Sequence, residues 1–398
     1  MIVVYDKSKC CGCTACASIC AHRAISMEHD EQGFSFPHVN LDLCTNCHLC
    51  EEVCPLQKRP ETNMAKHTFV ALASDHKEQM TSTSGGLASV FARYIIAQFG
   101  GVVYGCTGND CFHVRHIRID SIQDLPAIKG SKYVQSDLNG IFPKVKTDLK
   151  SGRYVMFIGT PCQVAGLRKY LRKSYDKLFC VDFICHGVPS QQILTSAIKE
   201  FNLDDTPHEV KFRLKEQGKP SQYCLQLTDT AGSVLYKGKY GKDCYMTGFI
   251  YALFYRDSCY QCPFASRERV GDITVGDYWN SDKEYDYLAR SKDGLSQMHV
   301  NTDQGNRLYQ LLSDQLRVEP ISLDKLLKHS GQLSHPMPRH RNADIFWTLY
   351  KKSRFNIACR KALSAEIRHL RLQPITNIVF SIPGFKPLYF LLKKKLRK

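Results

Sequence analysis

The sequence predicts a chain of mixed class, α+β in a small N-terminal domain and α/β beyond it. Three observations carry this reading: a cysteine pattern that occurs twice before residue 60, a strand–helix–strand–helix succession after residue 150, and an ordinary globular composition. At 398 residues the chain suits two or three domains. With 43% hydrophobic and 23% charged residues it excludes disorder, collagen and coiled coil. The unusual feature is the cysteine content, 19 residues. The N-terminus, Met1-Ile-Val-Val-Tyr-Asp-Lys7, reads as lacking a signal peptide, and no uncharged apolar run is long enough to suggest a membrane span. A cytoplasmic location keeps thiols reduced, so clustered cysteines point to metal rather than to disulfides.

Cys10-x2-Cys13-x2-Cys16-x3-Cys20 recurs as Cys44-x2-Cys47-x2-Cys50-x3-Cys54-Pro55. Three thiolates at this spacing wrap one face of an Fe4S4 cube, and the fourth cysteine of each run reaches the partner cube. Cluster one is therefore expected on Cys10, Cys13, Cys16 and Cys54, and cluster two on Cys44, Cys47, Cys50 and Cys20. A zinc site takes four ligands and has no role for the third Cys of each run. The first 60 residues thus read as a two-[4Fe-4S] ferredoxin-like domain. Ala21 stands where a proline usually follows the first run, and Cys11 is left over, out of phase. Two clusters ahead of so long a chain suggest an electron relay.

After a polar linker at 57–63, Thr68–Ala73 reads as a buried strand. Thr81-Ser-Thr-Ser-Gly-Gly86 then opens an apolar helix from Leu87 to Gln98, and Gly100–Gly105 returns as a strand. A helix start at the end of a sheet can receive an anion such as a cofactor phosphate. The same loop also suits an ordinary helix cap. The section after residue 150 is more specific. Tyr154–Ile158 is a continuous apolar run, typical of a strand buried on both faces, and it leads through Gly159-Thr-Pro-Cys162-Gln163 into a helix, Val164–Leu171. Leu178–Ile184 repeats the pattern and ends in Cys185-His-Gly-Val-Pro-Ser190, with Ser190 capping a helix to Phe201.

This βαβα unit places Cys162 and Cys185 at the carboxyl ends of adjacent parallel strands, the edge where open α/β sheets bind ligands. Further on, Cys259-x2-Cys262-Pro263 precedes a strand-like Asp272–Asp277. Alone it is half a site, either a redox dithiol or part of a zinc site. Joined to Cys162 and Cys185 it completes four thiolates, enough for a third Fe4S4 cluster. Cys106, Cys111, Cys180, Cys224, Cys244 and Cys359 read as small core residues.

Thr83-Ser-Gly-Gly86, Gly130-Ser-Lys-Tyr-Val-Gln-Ser136, Gly159-Thr-Pro-Cys-Gln163, Cys185–Ser190, Cys259-x2-Cys262 and Asp272–Asp277 follow one another in this order. Together they resemble the beta subunit of coenzyme F420-reducing hydrogenases and dehydrogenases, whose superfamily includes chlorophyll(ide) reductases. The resemblance implies an iron–sulfur flavoprotein oxidoreductase. It places FAD near Ser84, Gly85, Gly86, Lys132 and Tyr133, between the relay and a substrate pocket. It also implies a ferredoxin or similar electron donor and a small-molecule or lipid-linked substrate. Bacterial forms with a fused ferredoxin accompany cell-surface polysaccharide synthesis. The alternative is a non-catalytic electron-transfer subunit that feeds a partner enzyme linked to F420 or ferredoxin.

On this reading 1–60 is the ferredoxin domain, 66–147 the N-terminal flavin-binding α/β part, 148–345 a C-terminal domain with the third Fe–S site, and 350–398 a basic amphipathic tail. Lys129 and Lys132 suit either a phosphate or a solvated charged face. His186 suits a hydrogen bond to a cluster sulfur or proton donation, and no catalytic residue is assigned.

The net charge is +16. Residues 351–398 hold thirteen Lys/Arg against Glu366 alone, three quarters of that excess. The apolar stretch 375–392 is broken by Pro383 and Pro387 and followed by Lys393–Lys398. It suits peripheral contact with anionic lipid on the inner face of the membrane. A tail docked on its own body fits the same composition. No nucleic-acid motif accompanies the charge.

Overall fold

The computed structural model describes residues 1–381 apart from Pro220, 280–284, 286–287 and 289–290, with the backbone alone for 373–381. The last seventeen residues, which include the polybasic end expected to meet lipid, lie outside the described residues. Among those described, no helix is long and apolar enough to cross a membrane.

The two cysteine runs fold alike. Each turns through two left-handed residues that flank its second cysteine: Gly12 (φ 66°) and Thr14 (φ 65°) in the first run, Asn46 (φ 55°) and His48 (φ 60°) in the second. Gly and Asn adopt this conformation at least cost, whereas for Thr and His it is strained. A short helix follows in each run, Ala15–Ile19 and Leu49–Glu52. Between the runs, β1 (Ile25–His29) and β2 (Ser35–Val39) form an antiparallel hairpin with Ile25 opposite Val39. The sequence repeat is thus a structural repeat, in the form of a small α+β ferredoxin-like domain.

A mixed eight-stranded sheet forms the body. It comprises β3 (His67–Ala73), β4 (Val102–Thr107), β5 (Arg115–Ile119), β6 (Val155–Gly159), β7 (Leu178–Phe183), β11 (Ile273–Tyr278), β12 (Leu295–Val300) and β13 (Leu316–Pro320), in the order β13-β3-β12-β11-β7-β6-β4-β5. The run β11-β7-β6-β4 is parallel and the other neighbours are antiparallel. The strands come from both the 66–147 and the 148–345 segments. As the apolar runs require, β6 and β7 are parallel neighbours, with Val155 opposite Leu178 and Gly159 opposite Asp182. The helix Leu87–Phe99 buries Leu87, Val90, Phe91 and Ile95 against one face of the sheet, while the helix Pro161–Leu171 covers the other.

A three-stranded antiparallel sheet of β8 (Glu209–Leu214), β9 (Gln222–Thr228) and β10 (Val234–Lys239) has no counterpart in the sequence expectations. It shares a core with helices Gln191–Lys199, Cys244–Ile250, Ala343–Tyr350 and Phe355–Ala362. The first part of the expected tail is therefore packed, with Phe355, Ala358, Cys359 and Ala362 buried. The ferredoxin-like domain meets the body through its helix Ala15–Ile19, which runs against Pro161–Leu171, and through Cys13 just before it, which packs on Gly166. A Cβ at that glycine would lie 2.8 Å from the Cys13 sulfur.

Asp182 joins β7 to the chain entering β11. It accepts hydrogen bonds from Arg269 Nη2 (2.9 Å), Thr274 Oγ1 (2.6 Å) and the Gly271 amide (2.9 Å), and both charged side chains are fully buried. Asp182→Asn strands the Arg269 charge in the interior. Such a loss is expected to cost about 3–5 kcal/mol, read as a lower urea midpoint at unchanged m-value.

Candidate functional site

β3, β4, β6, β7 and β11 all end at one edge of the sheet, and a cavity of about 390 Å³ opens there. Its wall includes the loop after β3, the segment around residues 129–136, and the turns after β6 and β7. Cys162 stands in the first turn of Pro161–Leu171, whose start Thr160 and Gln163 close as a reciprocal capping box. Cys185 follows β7, and Cys259 and Cys262 sit on and just after a short 3-10 helix, Asp257–Gln261. All four thiols line the cavity. Burial pushes the Cys185 thiol up to about 12, and the neighbouring Cys162 and Cys262 push it further in the same direction. Burial likewise raises Cys262 to about 11, with Cys162 adding to the effect.

A second cavity of about 320 Å³ lies in the ferredoxin-like domain and is lined by Cys10, Cys13, Cys16 and Cys54, the set that the spacing assigns to cluster one. Burial pushes Cys16 up to about 12, reinforced by Cys10 and Cys54. For the second set the structure brings Cys20 and Cys50 into one small core beside Cys16 and Cys54. Their sulfurs accept the backbone N–H of Ala24 (3.3 Å) and Ile2 (3.2 Å). Cys44 is half-buried and Cys47 exposed, on a loop that is largely open to solvent.

Among the described residues no three Cys, His, Asp or Glu side chains close on a single metal ion. A cube spreads its four ligands around four irons and needs room between them. The donor sets fit such a group: buried thiols crowded together hold their protons, and a bound metal takes the place of those protons. Cys11 lines both cavities and lies against Cys13 and Cys162.

Of the residues expected near a flavin, Ser84, Gly86, Lys132 and Tyr133 line the larger cavity. Gly85 is turned away from it. Its amide donates to Ser296 Oγ (2.9 Å), and a Cβ would lie 2.5 Å from the Ala71 carbonyl, so close strand packing requires this glycine. The loop is not a helix cap in the ordinary sense. The helix starts on Gly86 (φ 89°) with no side-chain cap, while Ser84 donates to the Leu295 carbonyl. The amides at this helix start are therefore left to the cavity.

Lys129 is engaged, in a salt bridge to buried Glu78 and a hydrogen bond to Thr81 Oγ1 (2.8 Å). Lys132 instead donates to the Lys129 carbonyl (2.5 Å), and burial brings its ammonium down to about 8. Cys106, expected in the core, is half-buried on the cavity wall, because the end of β4 reaches the same edge.

Sequence reasoning missed the side chains that fix Tyr133. Tyr133 stacks on Phe249 at 4.3 Å and accepts from Arg213 Nη1 (3.0 Å). Arg213 also donates to Asp277 Oδ2 (2.9 Å) and lies over the rings of Tyr223 (4.3 Å) and Trp279 (5.1 Å). On the other side, His116 stacks on Phe157 and is held by Ser136 Oγ and the Ile158 carbonyl, both 2.9 Å away. Burial lowers His116 to about 4, so it is neutral at physiological pH; Nε2 donates to the carbonyl and Nδ1 accepts from Ser136. His116, Arg213, Tyr223, Phe249 and Trp279 belong to no local pattern: they come from β5, β8, β9, the helix Cys244–Ile250 and the residue after β11, and converge only through the fold.

With its half-buried thiols at the carboxyl edge of a mixed sheet and its doubled cysteine domain, the chain has the make-up of an iron–sulfur electron-transfer protein of the oxidoreductase type. Residues 9–58 match the model of the 4Fe-4S dicluster domain, and residues 152–325 match that of the C terminus of the coenzyme F420 hydrogenase/dehydrogenase beta subunit. The chain thus carries a C-terminal domain of the beta-subunit type at 152–325 and an iron–sulfur dicluster domain in front of it. Among solved structures it is similar to a chain in the xenon-derivatized F420-reducing [NiFe] hydrogenase complex from Methanosarcina barkeri. The two share 16% identity at a TM-score of 0.48, over 68% of this chain and 89% of that one. No curated protein matches.

The Lys132 amine gives a testable signature. Between about 8 and the ordinary lysine value the unfolded chain binds a proton that the folded one does not, so this group makes folding stability rise with pH across that window. Lys132→Met should remove that contribution, read as the difference in urea midpoint between wild type and variant on either side of it.

Proposed function

We propose that the protein is an iron–sulfur flavoprotein oxidoreductase. Electrons from a ferredoxin-type donor enter at the N-terminal clusters and leave to an organic substrate at the sheet edge. The observation that carries this reading is the single cavity that joins four thiols, Cys162, Cys185, Cys259 and Cys262, to an uncapped helix start and a half-buried lysine. Cluster one rests on Cys10, Cys13, Cys16 and Cys54; cluster two on Cys20, Cys44, Cys47 and Cys50; the third on the cavity thiols. An FAD beside them would turn single-electron transfer into two-electron chemistry at carbon.

The chain's own residues provide the binding and the shielding. The amides after Gly86 suit a phosphate, and Lys132 offers a cation whose partner in the wall is a carbonyl rather than a carboxylate. Arg213 and Phe249 hold Tyr133 in one orientation. Half-exposed Trp279 and Tyr223 present aromatic faces to a ring-shaped acceptor such as a sugar, in keeping with a place in cell-surface polysaccharide synthesis. A second reading, an electron-transfer subunit feeding a partner enzyme, is favoured by the exposed setting of Cys47 and its neighbours Leu41 and Leu43, a surface open to another protein.

Protein purified without oxygen should contain about twelve irons, about twelve sulfides and one FAD per chain. Cys162→Ala should lose about four irons and keep the N-terminal clusters. Eight irons in the wild type would remove the third site, and absent flavin would favour the electron-transfer reading. Flavin affinity should fall above pH of about 8, as Lys132 loses its proton, and Lys132→Met should bind weakly on both sides of that pH.

A further inference from the structure

Arg256 is among the largest fully buried side chains, with 1% exposure. Its guanidinium reaches across the boundary between the ferredoxin-like domain and the body. Nε donates to the carbonyl of Cys10 (2.6 Å), Nη2 to the carbonyl of Ser35 (2.9 Å) and Nη1 to Gln135 Oε1 (3.3 Å). The same group lies over Phe36 at 4.3 Å and Phe34 at 5.5 Å. Its backbone is tied to the other side: its amide donates to the Val188 carbonyl, three residues past Cys185, and its carbonyl accepts from the amide of Cys259 at 2.8 Å. Gln135 completes the link by donating to the Cys11 carbonyl (3.1 Å). A Cβ on Gly12 would lie 2.8 Å from Gln135 and 3.0 Å from Arg256, so the cysteine loop is pressed onto this pair.

Among the described residues no carboxylate pairs with Arg256; its acceptors are two carbonyls and an amide oxygen. A guanidinium stays charged in a protein, and a buried charge without a counter-charge is costly. The loop of Cys10 to Cys13 lies on one side of the group, and Cys162 and Cys259 share the cavity wall with it on the other.

We infer that Arg256 is a positioning residue whose charge is the shared counter-ion of the first N-terminal cluster and the third cluster, and whose fork sets their mutual approach. This rests on the cluster reading proposed above. A cluster held by four thiolates is an anion, and reduction adds a further negative charge. A fixed cation between two such groups would favour the reduced form of each, so its charge would raise both potentials.

The test is anaerobic redox titration followed by electron paramagnetic resonance, with iron counted in each sample. In Arg256→Gln at wild-type iron content, reduction of the third cluster should become at least tenfold less favourable, a fall in potential of about 59 mV for a one-electron couple. Arg256→Lys, which keeps the charge but loses the fork, should keep its potential near the wild-type value while spin coupling between the two clusters weakens. Unchanged potentials in Arg256→Gln at full iron would overturn the inference. If Arg256→Gln loses iron, Arg256→Lys decides: recovery of iron supports the counter-ion, and an equal loss overturns it. Too few irons in the wild type itself would instead sink the cluster reading.

Discussion

Sulfur atoms crowded together in an apolar interior cannot all carry charge unless a cation joins them. That constraint shapes much of the molecule. Cys16 and Cys185 both have acidities displaced by burial and by neighbouring thiols, at two places that share nothing in local sequence. The surroundings are built to keep these groups still: backbone amides aimed at Cys20 and Cys50, a capping box beside Cys162, and tight turns through left-handed residues. Rigid surroundings of this kind suit groups that exchange electrons, because little has to move when the charge changes.

The parallel strands solve a second problem with the same means. They bring the ends of β4, β6, β7 and β11 to one edge although those strands are spread from residue 102 to residue 278. Thiols, a cation and aromatic rings can meet there while the sheet itself stays fully packed. The buried Asp182–Arg269 pair sits beneath this edge and ties the turn that carries Cys262 to the strand that precedes Cys185.

Much of this was legible in the sequence where spacing or period carried it. The two cysteine runs, the βαβα unit and the approximate limits of β3, β6, β7 and β11 all follow from patterns a few residues long. Where a residue's role comes from a partner far along the chain, the pattern is silent. Arg213, Tyr223 and Trp279 lie in or beside strands of mixed polarity, and Arg256 is an isolated basic residue in an aromatic stretch. Gly85 and Gly86 look equivalent on paper, yet one is fixed by packing against β3 and the other opens a helix. Cys106 and Cys111 look equally suited to a core, but only the first reaches the cavity.

Gly166 limits how the two parts of the chain can be recombined. Its missing side chain admits Cys13 so closely that the shape of the first cysteine loop is complementary to one turn of a helix a hundred and fifty residues later. The N-terminal piece is therefore no interchangeable adaptor. A homologous module grafted from elsewhere would have to reproduce that contour as well as its cysteines, and a shift in either partner would demand a matching shift in the other.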